Sequence, residues 1–294
     1  MDLVLGSNFN NVKGDFKIIL LDNNQLIIAS LFQSMKQDSQ LSEDLVRHLI
    51  LNTYRMYRNR FQSKYGEIVI CHDGGSAWRK ELFPLYKANR KKSQEKSAMD
   101  WDKMHEIMDV IRAELLETFP YKNIQIRGVE ADDIIAILSK YYHTQEKILI
   151  VSNDKDFQQL QRFYNVEQYS PLKRKLLKCD DPEAFLMEHI IKGDSSDGIP
   201  NILSDDDSFI NENKRQKPCG EKRINQIKED IDTWNEGNNW KRNQAMIDFS
   251  SIPEDVESAI IEEYNKEPKG NRGKLLNYFI NKKLKLLTSH LEEF

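Results

Sequence analysis

Nine acidic residues fall where a chain could gather them into one site. Asp22 closes the apolar run Ile18-Ile19-Leu20-Leu21, Asp73 follows Ile68-Val69-Ile70 through Cys71-His72, and Asp154 and Asp156 follow Ile148-Leu149-Ile150-Val151 through Ser152-Asn153. A fourth group opens a helical pattern in Gly128-Val129-Glu130-Ala131-Asp132-Asp133. A fifth, Asp194 and Asp197, lies in Gly193-Asp194-Ser195-Ser196-Asp197-Gly198-Ile199-Pro200. If the apolar runs are neighbouring parallel strands, their carboxyl ends share one edge, which is where open α/β sheets place their sites. Carboxylates brought within a few ångströms repel one another unless they are protonated or neutralised, and the natural neutraliser near pH 7 is a divalent cation. An all-oxygen donor set points to Mg²⁺, with Mn²⁺ able to substitute. Two such ions about 3.5–4 Å apart suit in-line hydrolysis of a phosphodiester, one activating the attacking water and the other stabilising the leaving oxygen.

Each acid also has a purely local role open to it. Glu130, Asp132 and Asp133 sit where the helix dipole favours negative charge by about 0.3–1 kcal/mol each. Asp154 could cap a helix beginning near Phe157, and Asp194 and Asp197 could be turn residues beside glycine. Only their convergence would make them a metal centre.

A basic segment supplies the complementary charge. From Arg79 to Lys96 there are seven basic residues, Arg79, Lys80, Lys87, Arg90, Lys91, Lys92 and Lys96, against Glu81 and Glu95, with Trp78, Phe83 and Tyr86 interleaved. Stacking on a base and pairing with a phosphate are the two halves of sequence-tolerant strand binding. Tyr86 beside Lys87, with Arg90 one turn later, could supply both. Taken alone, a basic run is more simply a solvated surface. A weaker basic stretch runs from Glu212 to Glu229, six basic residues against three acidic.

The elements that must position these groups follow from periodicity. Phe16 to Leu21, Ile68 to Cys71, Ile124 to Ile126 and Lys147 to Val151 read as strands of a mostly parallel sheet covered on both faces. Helical stripes lie between them: Leu45, Leu49 and Met56; then Met104, Ile107, Met108, Ile111 and Leu115; then Ile134, Ile135, Ile137 and Leu138 after Glu130. Strands alternating with helices give an α/β class with flanking helices. After about Pro200 the apolar runs thin out and helices joined by polar loops remain. The expected division is therefore 1–200 for the catalytic part and 201–294 for a helical C-terminal part, with Ser204 to Lys217 as a mobile loop.

Composition excludes several classes. The chain has 294 residues, 39% hydrophobic and 31% charged, with a net charge of −4; its mean hydropathy is −0.67. The longest apolar runs are far short of the roughly 20 residues of a membrane span. The N-terminus lacks a secretory pattern, so a cytoplasmic setting is expected. Cys71, Cys179 and Cys219 form neither a disulfide framework nor a metal pair, and the six histidines show no zinc spacing. No GxxxxGK[ST], GxGxxG or GxSxG motif occurs, and His105-Glu106 meets Asp109 where HExxH needs histidine. Asp22 is followed by Asn23-Asn24, which weakens an aspartyl-phosphate mechanism.

The stretches Gly128 to Asp133, Val151-Ser152-Asn153-Asp154-Lys155-Asp156-Phe157 and Gly193 to Pro200 resemble the ordered motifs of the flap endonuclease/5′-exonuclease family. Val46 to Asn52, Asn165 to Pro171 and the closing Leu291-Glu292-Glu293-Phe294 resemble the ribonuclease H branch of that family in T-even-type phages. The resemblance implies a PIN-like 5′ nuclease core and a Mg²⁺-dependent 5′→3′ nuclease with two ions. Such an enzyme removes RNA primers and adjoining DNA from lagging-strand fragments and cuts 5′ flaps. It places Asp22, Asp73, Glu130, Asp132, Asp133, Asp154, Asp156, Asp194 and Asp197 on the family's metal-site carboxylates, with Asp73, Asp132, Asp133, Asp154 and Asp156 nearest the ions. It makes Arg79 to about residue 100 the family's basic arch, with Arg79, Lys80, Tyr86, Lys87, Arg90, Lys91 and Lys92 on the nucleic acid. Lys87 and Arg90 would lie near the scissile phosphate. The family's glycine hairpin is only partly matched, by Pro218-Cys219-Gly220-Glu221-Lys222-Arg223 after an extra polar stretch, and Gly220, Lys222 and Arg223 could still hold phosphates. The implied partners are DNA and RNA–DNA hybrid, with a sliding clamp and a single-strand-binding protein docking on a monomer. Two readings compete: a non-catalytic nucleic-acid-binding replication protein, which gains nothing from nine acids beside a polyanion, and a small-molecule phosphohydrolase, which needs no arch.

Overall fold

In the apolar runs that end in Asp22, Cys71 and Val151, alternate side chains find a buried face on either side, so the runs can only be interior strands. The computed structural model describes residues 17–37, 42–90 and 100–294. Its strands are Lys17–Asp22 (β1), Glu67–Cys71 (β2), Lys122–Ile124 (β3), Lys147–Val151 (β4), Val166–Ser170 (β5) and Lys175–Leu177 (β6). They form one sheet in the order β3-β2-β1-β4-β5-β6. All neighbours are parallel except β5 and β6. Asp22 is in register with Cys71, and Leu21 with Val151, so β1, β2 and β4 end side by side. The third strand ends at Ile124 rather than beginning there, because a turn closed by Val129 N–H donating to the Ile126 carbonyl (3.1 Å) takes the chain out of the sheet. β5 and β6 were not expected: they carry Glu167, Gln168, Ser170 and Lys175 in place of an apolar run.

The flanking helices include Asn23–Gln37 (α1), Glu43–Tyr65 (α2), Ala77–Leu82 (α3), Trp101–Thr118 (α4), Ala131–Tyr142 (α5) and Pro182–Lys192 (α6). Ile19, Leu21, Ile68, Ile70, Leu149 and Val151 pack on one face with residues of α1, α2 and α4. Ile18, Leu20, Val69, Cys71, Ile148 and Ile150 pack on the other with α5. The residues expected on the stripes of α4 and α5 are buried, and α5 buries Ala131, Asp133, Ala136 and Ser139 as well. The buried stripe of α2 is not the expected one: it is Val46, Ile50, Tyr54 and Tyr57, whereas Met56 is 46% exposed. Two tyrosines extend the contact made by Val46, Ile50 and Leu51, and the fully buried Arg47 is neutralised by Glu114 of α4 at 2.7 Å.

The C-terminal part is helical as expected: Glu221–Glu229 (α7), Ile231–Trp234 (α8), Asn238–Ile247 (α9), Glu254–Tyr264 (α10), Arg272–Asn281 (α11) and Lys285–Thr288 (α12). It has no core of its own. Leu275, Phe279 and Phe294 enter the first sheet core, where Phe119 of the α4 end meets Phe294 with ring centroids 6.0 Å apart. Phe249, Ile252 and Ile260 enter the second. Ile224, Ile227 and Trp240 join Phe83, Tyr86 and Ile190 in a third cluster. Residues 204–217, expected as a mobile loop, form a closed turn. Lys217 N–H donates to Ser204 Oγ (2.8 Å), Asn201 N–H to Gln216 Oε1 (2.8 Å), and Lys214 pairs with Asp207 at 2.8 Å.

Because the C-terminal helices share the sheet's core, Phe279→Ala should destabilise the whole chain by about 3–5 kcal/mol. Urea unfolding followed by circular dichroism and by tryptophan fluorescence should show one coincident, shifted transition. An early separate transition in one probe would contradict the shared core.

Candidate metal centre

The sheet delivers the carboxylates. Asp22 ends β1, Asp73 lies two residues past β2 and Asp154 three past β4; Asp132 stands in the first turn of α5. Two loops are zipped to bring Asp73 to the start of α5: Gly74 N–H donates to the Val129 carbonyl (2.8 Å) and Gly128 N–H to the Gly74 carbonyl (2.7 Å). A Cβ on Gly74 would fall 1.9 Å from the Ile126 oxygen, so only glycine permits the approach. Asp73 Oδ1 then accepts from the Ala131 N–H at 2.7 Å, and its Oδ2 from Asn24 Nδ2. Asp22 Oδ2 accepts from Ser152 Oγ at 2.9 Å, tying β1 to the loop that carries Asp154. That loop is clamped from β5, where Gln168 Nε2 donates to the Asp154 carbonyl at 2.6 Å.

The electrostatics record the crowding. Burial, then the Asp73 and Asp154 charges, push the Asp22 carboxyl up to about 7. Burial with Asp22, Asp154 and Asp73 drives Asp132 well above the carboxylate range, against the Lys87 ammonium. Asp73 is also raised, mainly by burial. Asp22, Asp73, Asp132 and Asp154 therefore form one mutually repelling group.

A second group lies beside it. Gly193, with φ +67 and a Cβ position 2.3 Å from the Ile199 oxygen, ends α6 and lets Asp194 to Ile199 close on themselves. Asp156, Asp194 and His189 of α6 offer ligand atoms all within 4.8 Å of one another. His189 escaped the sequence reading because nothing local marks it; only the packing of the last turn of α6 against the Asp154 loop brings it in. Asp156 is pushed up to about 7, first by burial and then by Asp154 and Asp194, against the His189 charge. Asp194 is held well below the usual carboxylate range, because hydrogen bonds from His189, Ser196 and Lys155 outweigh its burial.

The other acids are paired with the basic segment. Glu130 accepts from Arg79 (2.8 Å), Lys87 (2.5 Å) and the Tyr86 hydroxyl (3.0 Å). Asp133 takes Trp78 Nε1 at 3.0 Å and Arg79 at 2.8 Å. Asp197 takes Arg90 at 2.5 Å and lies 3.7 Å from Lys87. Tyr86 differs from the stacking platform expected of it: its ring is 3% exposed, buried among Phe83, Ile190 and Ile199, because its hydroxyl serves the two acids. Arg79 is likewise buried, Lys80 and Arg90 are exposed, and Lys91 and Lys92 lie outside the described residues. Gly220 precedes α7 with an ordinary φ of −79, Lys222 is exposed on the first turn of α7, and Arg223 lies over the Trp234 ring at 5.2 Å. A cavity of about 620 Å³ lies at the other end of the strands, lined by Lys17, Gly66, Lys122, Tyr264 and Phe294. It shares no residue with the carboxylates.

The 5′-3′ exonuclease N-terminal resolvase-like domain matches residues 17–187, more than half of the chain. The chain belongs to the 5′-3′ exonuclease family. Residues 180–294 match the C-terminal domain of phage T4 ribonuclease H. Ribonuclease H of Enterobacteria phage T4 is 32% identical over 95% of this chain and 97% of its own length. The flap endonuclease Xni of Shewanella sp. (strain MR-4) is 33% identical over 46% of this chain and 52% of its own. Among solved structures, the phage T5 5′-exonuclease with zinc bound superposes with a TM-score of 0.63 at 20% identity, over 84% of this chain and 97% of that one. A T5 flap endonuclease complex with DNA and metal ions does so with a TM-score of 0.63 at 20% identity, over 85% and 99%. These likenesses bear out the mostly parallel, PIN-like nuclease fold. Membership of a nuclease family speaks against the small-molecule phosphohydrolase reading. Among the described residues no helix is long and apolar enough to cross a membrane.

The residues fit a divalent cation. Four carboxylates repel at one edge, and Asp156 Oδ1 is buried with no hydrogen-bond partner. The raised carboxyls bind protons in the metal-free fold that they release on unfolding, so stability falls as pH rises through their folded pKa of about 7. His72, buried and lowered to about 4, has the opposite sign; its titration in the unfolded chain is half complete at the ordinary pKa of 6.5 and finished by about pH 7.5, so it offsets only part of the trend. Between pH 6.5 and 8 the metal-free protein should therefore lose on the order of 1 kcal/mol of stability. Mg²⁺ should abolish or reverse the trend, as thermal unfolding in EDTA and in Mg²⁺ will measure. A metal-free protein more stable at pH 8 would contradict the crowded site.

Proposed function

We propose that the protein is a Mg²⁺-dependent 5′→3′ exonuclease, flap endonuclease and ribonuclease H that removes RNA primers and adjoining DNA during lagging-strand replication. The observation that carries this reading is the convergence of Asp22, Asp73, Asp132 and Asp154, which repel one another, at the carboxyl edge of the sheet. These four would hold one ion, and Asp156 and Asp194, with Asp197 nearby, would surround a second. Bound divalent ions supply activation of the attacking water and stabilisation of the leaving oxygen, with Mn²⁺ able to replace Mg²⁺.

The chain's own cations do the positioning. Lys87 stands between Glu130 and Asp197, close enough to Asp73 and Asp132 to oppose their raised pKa values. There it meets a phosphate brought to the carboxylates and opposes the charge that builds on it during attack. Arg90, half exposed on Asp197, is placed to exchange that partner for the strand's phosphate. Lys80, Lys91, Lys92, Lys222 and Arg223 extend the phosphate-binding path, and the N–H groups beginning α7 after Gly220 would add backbone contacts. The protein would act as a monomer in the host-cell cytoplasm, with a sliding clamp and a single-strand-binding protein as partners.

The test uses a 5′-labelled RNA–DNA hybrid and a 5′-flap duplex. Short 5′ products should appear with Mg²⁺, vanish with EDTA, and fall at least about 100-fold for Asp154→Asn, as loss of a metal-site group requires. Binding of both substrates without cleavage in Mg²⁺ or Mn²⁺ would refute the catalytic reading.

A further inference from the structure

His189, 6% exposed, stands between two acids. Its Nε2 lies 3.1 Å from Asp194 Oδ2, and since the carboxylate can only accept, that nitrogen carries the proton. Asp194 is otherwise saturated: Oδ1 accepts from the Ser196 N–H (2.8 Å) and hydroxyl (2.5 Å), and Oδ2 also meets Lys155 Nζ at 2.9 Å. The ring's other nitrogen, Nδ1, is 3.4 Å from Asp156 Oδ1. Neither of those two buried atoms has a hydrogen-bond partner. In a neutral imidazole already protonated on Nε2, Nδ1 presents a lone pair, so two acceptors face each other with nothing between them. Two buried acceptors turned on one point, with a carboxylate fixing the ring from behind, is the layout of a carboxylate–histidine–metal triad. An open cleft of about 330 Å³ lined by Lys155, Phe185, Glu188, His189 and Lys192 gives a hydrated ion access to the ring.

We propose that His189 Nδ1 and Asp156 are direct ligands of the second ion, and that Asp194 acts there by holding the imidazole in the metal-binding tautomer. This inference rests on the metal-dependent reading and adds that the two ion positions differ in kind. The first, at Asp22, Asp73, Asp132 and Asp154, offers oxygen alone. The second offers nitrogen and oxygen, a donor set that favours Mn²⁺ and later transition metals over Mg²⁺. Without the ion, Nδ1 and Asp156 Oδ1 need a proton shared between them.

The deciding measurement is electron spin-echo envelope modulation on full-length, tag-free protein loaded with two equivalents of Mn²⁺. A directly bound imidazole imprints ¹⁴N modulation on the manganese signal, whereas carboxylates and water do not. His72, the other histidine beside the carboxylates, has both ring nitrogens occupied by Asn23 and Asn123, at 2.9 and 3.1 Å, and cannot supply it. The wild-type protein should show the ¹⁴N signal; His189→Gln should lose it while keeping one Mn²⁺, and its preference for Mn²⁺ over Mg²⁺ at the affected position should fall about 10–100-fold. The wild-type spectrum decides even if the variant folds poorly. Two bound Mn²⁺ ions without ¹⁴N modulation would overturn the assignment and leave the nuclease reading intact. Failure to bind Mn²⁺, together with no Mn²⁺-dependent cleavage, would overturn both.

Discussion

Like-charge repulsion at one sheet edge is the constraint that organises this molecule. Asp22, Asp73, Asp132 and Asp154 are brought together by the register of β1, β2 and β4 and by the loop contacts at Gly74 and Gly128. What local relief there is falls short: Ser152 donates to Asp22, Ala131 N–H and Asn24 donate to Asp73, and Lys87 stands nearby, yet burial still raises Asp22, Asp73 and Asp132. A hydrophobic sheet buried on both faces supplies the free energy that holds the group in place. The centre is thus a crowded anionic site on a rigid frame.

Around it runs a belt of compensated charge. Arg79, Lys87 and Arg90 are distributed over Glu130, Asp133 and Asp197, and the same contacts fasten the segment from Phe83 to Arg90 to the loop from Asp194 to Ile199. Lys87 N–H donates to the Asp197 carbonyl at 2.7 Å, with Lys87 itself at φ 59, an uncommon backbone for a non-glycine residue. Buried ion pairs of this kind add little net stability but cost about 3–5 kcal/mol when one partner is removed. Their effect is to fix geometry. They hold cations at the margin of the carboxylates, with Arg79 and Tyr86 serving as buried struts and Arg90 left at the surface.

The strand ends were legible because Ile18 to Leu21, Ile68 to Ile70 and Ile148 to Val151 are uninterrupted apolar runs, each followed closely by an aspartate. The alternation of strands and helices followed from the same runs. β5 and β6 were not legible, since Gln168 and Ser170 face polar partners across the sheet edge and β6 is largely exposed. The buried stripe of α2 was misread because Tyr54 and Tyr57 continue the one begun by Val46 and Ile50, and their polar ends hide their burial. At the site, sequence named the acids but could not sort them. Which carboxylates repel and which are paired depends on Arg79 and Lys87 reaching Glu130 and Asp133 across some fifty residues of chain. Tyr86 read as an exposed stacking residue because aromatic and basic neighbours look alike whether they face a strand or a core. His189 depended wholly on tertiary packing.

The central claim is that the four crowded carboxylates are a cation site. Crystals of the protein grown in Mn²⁺ at neutral pH, with anomalous diffraction collected near the manganese edge, test it most directly. An anomalous peak should lie within about 2.0–2.3 Å of oxygens from among Asp22, Asp73, Asp132 and Asp154. A map at saturating Mn²⁺ with no peak among them, and with those carboxyls instead hydrogen-bonded to one another or closed on Lys87, would contradict it.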